Sequence, residues 1–176
     1  GFAADVRDTV ALKRAVDGCL EAFGRLDILV NGAAGNFFAP ACKLSPSGFK
    51  AVMDIDALGT FNATRLCFDS LKQAGGTVIN ITATQAWVAM PGQAHVGAAK
   101  AAIQKLTADL ALEWGPKGIR VVAIAPGPID GTEGMKRLAP GELREELIAT
   151  IPLRRYGQRR EIGEAAVFLC SDAARY

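Results

Sequence analysis

Hydrophobic and polar positions follow two patterns along the chain. Short, continuous apolar runs predict strands that are buried on both faces, because such strands have no polar side. Longer stretches with an apolar residue every three or four positions predict amphipathic helices. The predicted strands are 2–6, 26–31, 77–82 and 119–123, and the predicted helices are 8–23, 49–73, 93–114, 141–150 and 161–171. Strands and helices that alternate in this way predict an α/β fold with a doubly wound parallel sheet.

Capping and breaking residues set the ends of these elements. Asp8 is predicted to cap the first helix, and Gly24 is predicted to end it. Gly115 and the proline that follows it end the helix that starts at Gln93. Gly59 is a weak point inside the long predicted helix 49–73.

The predicted sheet is incomplete at both ends. Dinucleotide-binding sheets usually begin with a strand, a glycine-rich turn and a helix, and the sequence contains no such glycine fingerprint. The chain opens inside a predicted strand and closes on a predicted helix. A sheet without its central first strand exposes a long apolar edge. We therefore expect one domain, residues 1–176, belonging to a protein roughly a hundred residues longer. The alternative is a smaller, permuted α/β module.

The composition excludes several classes of function. The 176 residues carry a formal net charge of +2 without any basic block, so no nucleic-acid partner is expected. No apolar run approaches the ~18 residues that cross a bilayer, so no membrane span is expected. The cysteines have neither metal-site nor redox spacing, which indicates reduced thiols in an intracellular protein. They are Cys19, Cys42, Cys67 and Cys170.

Two segments near predicted strand ends have the chemistry of a cofactor site. Asp5 and Val6 lie at the end of the first predicted strand, where a carboxylate can accept from an adenine amino group and the backbone can bind the ring. The segment Asn31–Gly35 consists mostly of small residues, which let the backbone approach a flat ligand. Asn31 can also tie neighbouring strands together. The alternatives are a helix cap for Asp5 and a tight turn for the second segment.

A third segment, Pro126–Ile129, follows the last predicted strand. Its prolines and glycine fix an extended backbone, which leaves the N–H and C=O of Ile129 able to meet an amide such as nicotinamide carboxamide. Thr132 follows within reach of a phosphate. The alternative is a rigid loop without a ligand.

Lys100 and Asp56 are the candidate catalytic residues. Lys100 lies near a helix start, where the helix dipole disfavours a cation, and such a placement invites a functional explanation. Asp56 lies in an apolar part of the long helix, and a buried carboxylate needs a partner. Lys100, directly or through a water, is the expected partner, and a purely structural ion pair is the alternative. His95 has no Ser or Asp close in sequence, so a structural or substrate-facing role is expected.

These motifs, in this order, resemble the short-chain dehydrogenase/reductase family over essentially the whole chain. The resemblance implies a Rossmann-like fold that binds a nicotinamide dinucleotide. The cofactor-binding residues that it implies are Asp5, Val6, Asn31, Ala33, Gly35, Lys100, Pro126, Gly127, Ile129 and Thr132. It also implies a homo-oligomer, a dimer or tetramer, which packs through the long helix and the Lys100 helix.

The chain departs from the usual family pattern around Lys100. The family's tyrosine, four residues before the lysine, is replaced by Val96, and its active-site asparagine is replaced by Asp56. One branch, the 2,4-dienoyl-CoA reductases, has a similar set, and the likeness rests on segments 33–38, 52–56, 80–84, 92–94 and 125–134. By that resemblance Asp56 and Lys100 are the catalytic pair, Phe37 and Phe38 border the acyl substrate, and Arg137 lies near the CoA end.

The resemblance implies NADPH-dependent reduction of 2,4-dienoyl-CoA to 3-enoyl-CoA in fatty acid β-oxidation. The hydride goes to the δ-carbon and the proton to the α-carbon, through a water held by the Asp–Lys pair. NADH remains open, because the residues that discriminate the two cofactors precede Gly1. The expected location is the peroxisome or a related organelle, with mitochondrion or cytoplasm as alternatives. Two rival functions are another acyl-thioester reductase (2-enoyl-CoA or 3-oxoacyl) and an inactive family member that acts as a binding protein.

Overall fold

A computed structural model of the chain describes residues 1–138 and 141–176, without the side chains of Arg137 and Glu142. The described helices and strands, in chain order, are α1 Thr9–Phe23, β1 Ile28–Asn31, α2 Pro46–Met53, α3 Gly59–Leu66, α4 Phe68–Ala74, β2 Thr77–Ile81, α5 Ala94–Trp114, β3 Arg120–Ile124, α6 Glu133–Leu138, α7 Glu142–Thr150 and α8 Arg159–Cys170. None of these helices is long and apolar enough to cross a membrane.

The described strands form one parallel sheet in the order β1-β2-β3. Val30 pairs with Ile79, and Ile79 pairs with Val122. The prediction of a strand over residues 2–6 is wrong, because a strand needs a hydrogen-bonded neighbour and this segment pairs with none of the three described strands. Instead the Phe2 ring packs on Gly18 of α1, where any Cβ would overlap it.

Helices lie on both faces of the sheet at β3, as predicted for a doubly wound fold, whereas Ile28 and Val30 of β1 are about half exposed. Val121 of β3 points into the main core, and Arg120, its neighbour in the strand, points to the opposite face. There the Arg120 guanidinium donates to the carbonyls of Leu169 in α8 and Ala174 beyond it. The buried core residues on the Val121 face come from the sheet, α4, α5 and the segments beside them: Cys67, Leu71, Val78, Leu110, Trp114, Ile119 and Val121.

Capping residues end α1 where the sequence predicts. The Asp8 carboxylate accepts hydrogen bonds from the N–H groups of Val10 and Ala11, and Gly24 ends the helix at φ 74°. A cap of this kind stabilises a helix by about 1 kcal/mol. The predicted limits of α5 and β2 are also confirmed to within one residue.

The long predicted helix 49–73 is wrong as a single helix. It begins earlier, at Pro46, and a π-helical turn, Asp54–Leu58, separates α2 from α3. Cys67 then breaks the stretch between α3 and α4. A π turn carries an extra residue, so it rotates the side chains that follow it, and such turns often occur at functional sites. The helix α6 also lies where the sequence predicts only loop.

Candidate active site

Asp56 and Lys100 form an ion pair inside the protein. Lys100 Nζ lies 3.1 Å from Asp56 Oδ2, and the exposed fractions of the two residues are 7% and 0%. The angles of this contact fall short of a hydrogen bond, so Oδ2 accepts none from the described residues. Lys100 Nζ instead donates to the carbonyl of Ile81, the last residue of β2, at 3.3 Å. A buried pair stays charged only when geometry and hydrogen bonds offset its desolvation, and the Ile81 carbonyl supplies one such hydrogen bond to the ammonium.

The π turn places the Asp56 carboxylate. Asp56 is the middle residue of the turn, and its Oδ1 accepts a hydrogen bond from Gly35 N at 2.6 Å. Glycine at this position permits the close approach, because a Cβ on Gly35 would lie only 3.1 Å from Ile55 Cδ1. The turn after β1 therefore holds the carboxylate in place.

Val96 occupies the position of the family tyrosine and points into an apolar cluster. Val52 of α2 and the pair Val96 and Ala99 of α5 form this cluster, one turn before Lys100. Tyr156, the buried tyrosine of the described residues, lies in the segment between α7 and α8. The contacts that the described residues make with the Lys100 ammonium are the ion pair with Asp56 and the hydrogen bond to the carbonyl at the end of β2.

An asparagine ladder, formed by Asn31 and Asn80, ties β1 and β2 to α3 and α5. Asn31 Nδ2 donates to Asn80 Oδ1 and to Thr64 Oγ1, both at 2.8 Å. Asn80 Nδ2 in turn donates to Thr107 Oγ1 at 2.9 Å. The expected strand-tying role of Asn31 agrees with these bonds. The extension through Asn80 to α5 was missed, because residues so far apart in sequence leave no local pattern.

Asp5 is half exposed and bound by its neighbour. Arg7 donates to both carboxylate oxygens of Asp5 through its side chain, and this hydrogen bonding lowers the pKa of Asp5 to about 2. The carboxylate is therefore ionised at neutral pH and can accept further hydrogen bonds. Val6 packs on Gly59 at the start of α3, and its carbonyl accepts from Asn62 Nδ2 at 3.3 Å.

The predicted loop after β3 is held by a backbone bridge. Ile129 pairs with Gly157, and Gly157 N donates to the Pro128 carbonyl at 3.0 Å. The Thr132 hydroxyl donates to the Ile129 carbonyl at 2.9 Å and accepts from Met135 N in α6. Thr132 thus caps α6 and fixes the Ile129 carbonyl within the chain.

Two aromatic side chains lie exposed on the segment that follows Gly35. Phe37 and Phe38 are both exposed, and the Phe38 ring lies on Gly92, where any Cβ would overlap it. Ala39 N donates to the Gly92 carbonyl at 3.0 Å, which joins the two loops. Further apolar side chains of the second loop, Trp87, Val88 and Met90, are also exposed.

The structure adds Gln93, which sequence reasoning did not assign to the site, and it places His95, for which a structural or substrate-facing role was expected, beside Phe37. Gln93 Nε2 donates to the Phe37 carbonyl at 3.0 Å, and the His95 ring packs on the Phe37 ring with centroids 4.4 Å apart. The only sequence signal was that both polar residues precede Lys100 in an apolar helix. Arg137 belongs to α6, but its side chain lies outside the described part of the structure.

The groups at the carboxyl ends of β1 and β2 fit a nicotinamide dinucleotide. Residues 32–34 are exposed and carry at most a methyl group, so a flat ligand can approach the backbone. The ionised Asp5 carboxylate can accept from an adenine amino group, and the Lys100 ammonium can donate to a ribose hydroxyl. Gly127 has open space where a Cβ would be. Dinucleotides bind at this edge of open α/β sheets.

Comparison with known proteins identifies the class. The family model described as "Enoyl-(Acyl carrier protein) reductase" matches residues 2–176. A short-chain dehydrogenase from Bacillus anthracis, known from its crystal structure, is 42% identical with a TM-score of 0.88, over 99% of this chain and 69% of that chain. The chain belongs to the short-chain dehydrogenase/reductase family, and the predicted Rossmann-like fold is confirmed.

Two curated relatives are similar in more detail. The peroxisomal 2,4-dienoyl-CoA reductase of Saccharomyces cerevisiae, named as producing (3E)-enoyl-CoA, is 47% identical over 98% of this chain and 59% of its own length. The Danio rerio protein of the same name is 48% identical over 99% of this chain and 59% of its own. The chain therefore spans about three fifths of the relatives that it resembles. The predicted likeness to 2,4-dienoyl-CoA reductases is confirmed.

Proposed function

We propose that the protein containing this chain reduces 2,4-dienoyl-CoA to 3-enoyl-CoA with NADPH, in fatty acid β-oxidation. The observation that carries the proposal is the buried Asp56–Lys100 pair beside an apolar Val96. A ketone reductase needs an acid next to the carbonyl oxygen, whereas a dienoyl thioester receives its proton on carbon. The names of the relatives support the same substrate class.

The cofactor-binding role is assigned to residues at the strand ends. The Asp5 carboxylate and the Val6 backbone bind adenine, and the backbone from Asn31 through Ala33 to Gly35 lies along the dinucleotide. The remaining contacts come from Lys100 to the nicotinamide ribose, from the Pro126, Gly127 and Ile129 backbone to the carboxamide, and from Thr132 to a phosphate. For the last two, the Thr132 hydroxyl must release the Ile129 carbonyl, to which it donates in this structure. When bound, NADPH supplies the hydride that the δ-carbon of the substrate receives.

The catalytic role is assigned to Asp56 and Lys100. The Lys100 ammonium adds positive potential where negative charge spreads over the γ-carbon, the α-carbon and the thioester oxygen after the hydride reaches the δ-carbon. A water that lies beside the pair and binds both the ammonium and Asp56 Oδ2 delivers the proton to the α-carbon. Oδ2 suits this task because it accepts no hydrogen bond from the described residues. Phe37 and Phe38 border the acyl chain, and Arg137 lies near the CoA end.

A substrate comparison tests the proposal. The full-length protein is assayed by the loss of reduced-nicotinamide absorbance with 2,4-dienoyl-, 2-enoyl- and 3-oxoacyl-CoA. We expect turnover with the dienoyl substrate, and the product is identified by mass spectrometry and NMR as 3-enoyl-CoA. A preference for 2-enoyl-CoA favours the alternative to which the description of the family model points. Cofactor binding without turnover of any substrate favours a binding protein, and an NADH preference corrects the cofactor alone.

We further propose a peroxisomal homo-oligomer. The peroxisomal names of the relatives support the location. Leu112 of α5 is 83% exposed and Phe61 of α3 is also exposed, so both helices present apolar surface that a second copy can cover. Light scattering of the full-length protein measures its mass, and a monomer at micromolar concentration contradicts the proposal.

A further inference from the structure

Buried polar atoms without partners gather beside the candidate catalytic pair. Seven buried side-chain atoms of the described residues accept or donate no hydrogen bond, and five of them belong to one group of residues. These five are Asn36 Oδ1, Asp56 Oδ2, Gln93 Oε1 and both ring nitrogens of His95. Buried polar atoms almost always have partners in folded proteins. Five such atoms on one group of residues point to a polar ligand.

One short backbone segment connects these residues. Gly35 N donates to Asp56 Oδ1 at 2.6 Å, and two residues later the Phe37 carbonyl accepts from Gln93 Nε2 at 3.0 Å. The Phe37 ring packs on the His95 ring, with centroids 4.4 Å apart. Asp56 and His95 therefore contact opposite ends of the same three residues. Phe37 is 39% exposed, so this segment also reaches solvent.

The chemistry of the unpartnered atoms fits water. The amide oxygens of Asn36 and Gln93 need donors, and Asp56 Oδ2 can accept a hydrogen bond in addition to its ion pair with Lys100. An imidazole with one N–H offers one donor and one acceptor. Water supplies both kinds of bond and fits polar sites of this type. An acyl chain supplies neither. His95 has no exposed surface, and an apolar ring in its place would pack on Phe37 without unmet hydrogen bonds.

We propose that His95 is a positioning residue that binds buried water behind the Asp56 carboxylate, together with Gln93 and Asn36, and returns a proton to the catalytic pair. This inference rests on the proposed reductase function. Each turnover moves one proton from the water held by Asp56 and Lys100 to the α-carbon of the substrate, so one proton must come back from solvent. The imidazole takes up a proton at one ring nitrogen as it releases the proton of the other, and it carries no charge afterwards.

Kinetics of two His95 variants test the return path. His95→Phe keeps an aromatic ring against Phe37 but removes both nitrogens. We expect its first turnover, with NADPH and enzyme mixed beforehand, to stay within about twofold of wild type, because the water held by the pair still has the proton that the first turnover uses. Its steady-state kcat falls at least about tenfold, the solvent isotope effect on kcat rises, and the KM for NADPH is unchanged. Imidazole added to His95→Ala restores part of kcat.

Gln104→Leu is the matched control, because Gln104 lies on the same helix and also has a buried oxygen without a partner. Its kcat and isotope effect stay at the wild-type values. A His95→Phe enzyme with wild-type kcat overturns the proposal. A first turnover that slows as much as the steady state, without imidazole rescue, also overturns it, because that result indicates a merely structural histidine.

A crystal structure of the full-length protein gives a readout that does not depend on activity. We expect ordered water within hydrogen-bond distance of a His95 ring nitrogen, and water linked to Asp56 Oδ2. Both ring nitrogens bonded only to protein groups, or no water near them, overturns the proposed site. Failure of dienoyl-CoA turnover in the wild-type protein refutes the reductase assignment and the proton return with it, whereas the water result still decides the binding site.

Discussion

Lys100 Nζ lies 3.1 Å from Asp56 Oδ2, and both side chains are buried where the end of β2 meets the π turn after α2. The sequence shows these residues 44 positions apart, in two different helices. Because both groups are buried, each charge is stabilised by the other. Removal of one partner from a buried pair leaves a charge that costs about 3–5 kcal/mol.

We expect Asp56→Asn and Lys100→Met each to abolish nearly all turnover. Asp56→Asn keeps an oxygen for Gly35 N but removes the negative charge, so NADPH still binds with a Kd near that of the wild type. Lys100→Met also weakens NADPH, because the ribose contact is lost. Stopped-flow turnover and fluorescence titration of NADPH separate the two effects.

Lys105→Ala is the control for the lysine variant, because Lys105 lies exposed on the same helix and pairs with Asp109. Its turnover and its free energy of unfolding change little, since exposed ion pairs contribute about 0–1 kcal/mol. Turnover close to wild type in either active-site variant contradicts the assignment of the catalytic pair.

Asn31→Ala tests the asparagine ladder. The change removes two hydrogen bonds of 2.8 Å and leaves Asn80 Oδ1 without a donor in the buried sheet. We expect the free energy of unfolding to fall by about 2–4 kcal/mol, measured by urea denaturation. Asn62→Ala, which loses only a 3.3 Å bond to Val6 O, is the control and loses about 1 kcal/mol or less. Equal losses in both variants contradict a structural role for the ladder.

The elements that sequence predicts well depend on local chemistry. Asp8 starts α1 because its carboxylate oxygen accepts from nearby backbone N–H groups, and Gly24 ends the helix because it adopts a positive φ. Both effects act on residues close in sequence. The π turn at Asp54–Leu58 was missed, because Asp56 bonds Gly35 N, which is distant in sequence. A strand over residues 2–6 was wrong for the same reason, since strand formation depends on a partner rather than on apolar residues alone.

The site residues also differ in whether the sequence or only the fold identifies them. Lys100 and Asp56 were expected to be partners because of the lysine's place near a helix start and the apolar context of the carboxylate, and their contact agrees with that expectation. Their role as a catalytic pair came from the resemblance to a family. The roles of Gln93 and His95 emerge only from the fold, because their contacts with Phe37 join segments more than fifty residues apart. No spacing rule links such segments.

Glu161 makes part of the free energy of unfolding depend on pH. Arg155 hydrogen-bonds this carboxylate, Gln158 N donates to it at 2.7 Å, and the pKa of Glu161 falls from 4.5 to about 2. A depressed folded pKa means that the stabilisation is complete above pH 4.5 and disappears as the pH falls toward 2. We therefore expect the difference in unfolding free energy between wild type and Glu161→Gln to be small and constant above pH 4.5 and to shrink below it.

Urea denaturation at several pH values in low salt measures this difference. Both partners are exposed, so added salt reduces the effect at every pH. A difference that grows as the pH falls contradicts the sign of the linkage. Glu164→Gln, on the same helix and paired with Arg160, is the control.

Gly92→Ala tests the acyl-binding role of Phe38. Gly92 has φ 73°, and a Cβ there would overlap the Phe38 ring, so the ring must move. We expect a higher KM for dienoyl-CoA, with little change in NADPH affinity. Gly118→Ala is the matched control, because Gly118 has φ 81° but nothing within 4 Å of its Cβ position.

Both alanines carry the same backbone strain, about 1–2 kcal/mol, so only the displaced ring distinguishes them. Steady-state kinetics give KM for both variants, and urea denaturation gives their stability. An unchanged KM in Gly92→Ala shows that Phe38 does not border the substrate.

Val96→Tyr tests whether the missing tyrosine can be restored. Val96 is 2% exposed and packs with Val52 and Ala99, so the larger side chain does not fit without displacing α2 from α5. We expect the free energy of unfolding to fall by about 1–3 kcal/mol, while 3-oxoacyl-CoA reduction remains at background. Urea denaturation and the substrate comparison measure both outcomes. Val96→Ile, a smaller change at the same position, costs less and keeps dienoyl-CoA turnover. A stable Val96→Tyr enzyme that reduces ketones would mean that its phenol reaches the Lys100 site. In that case the absence of the tyrosine side chain, rather than the packing of α2 on α5, would be what separates this chain from the tyrosine-dependent members of its family.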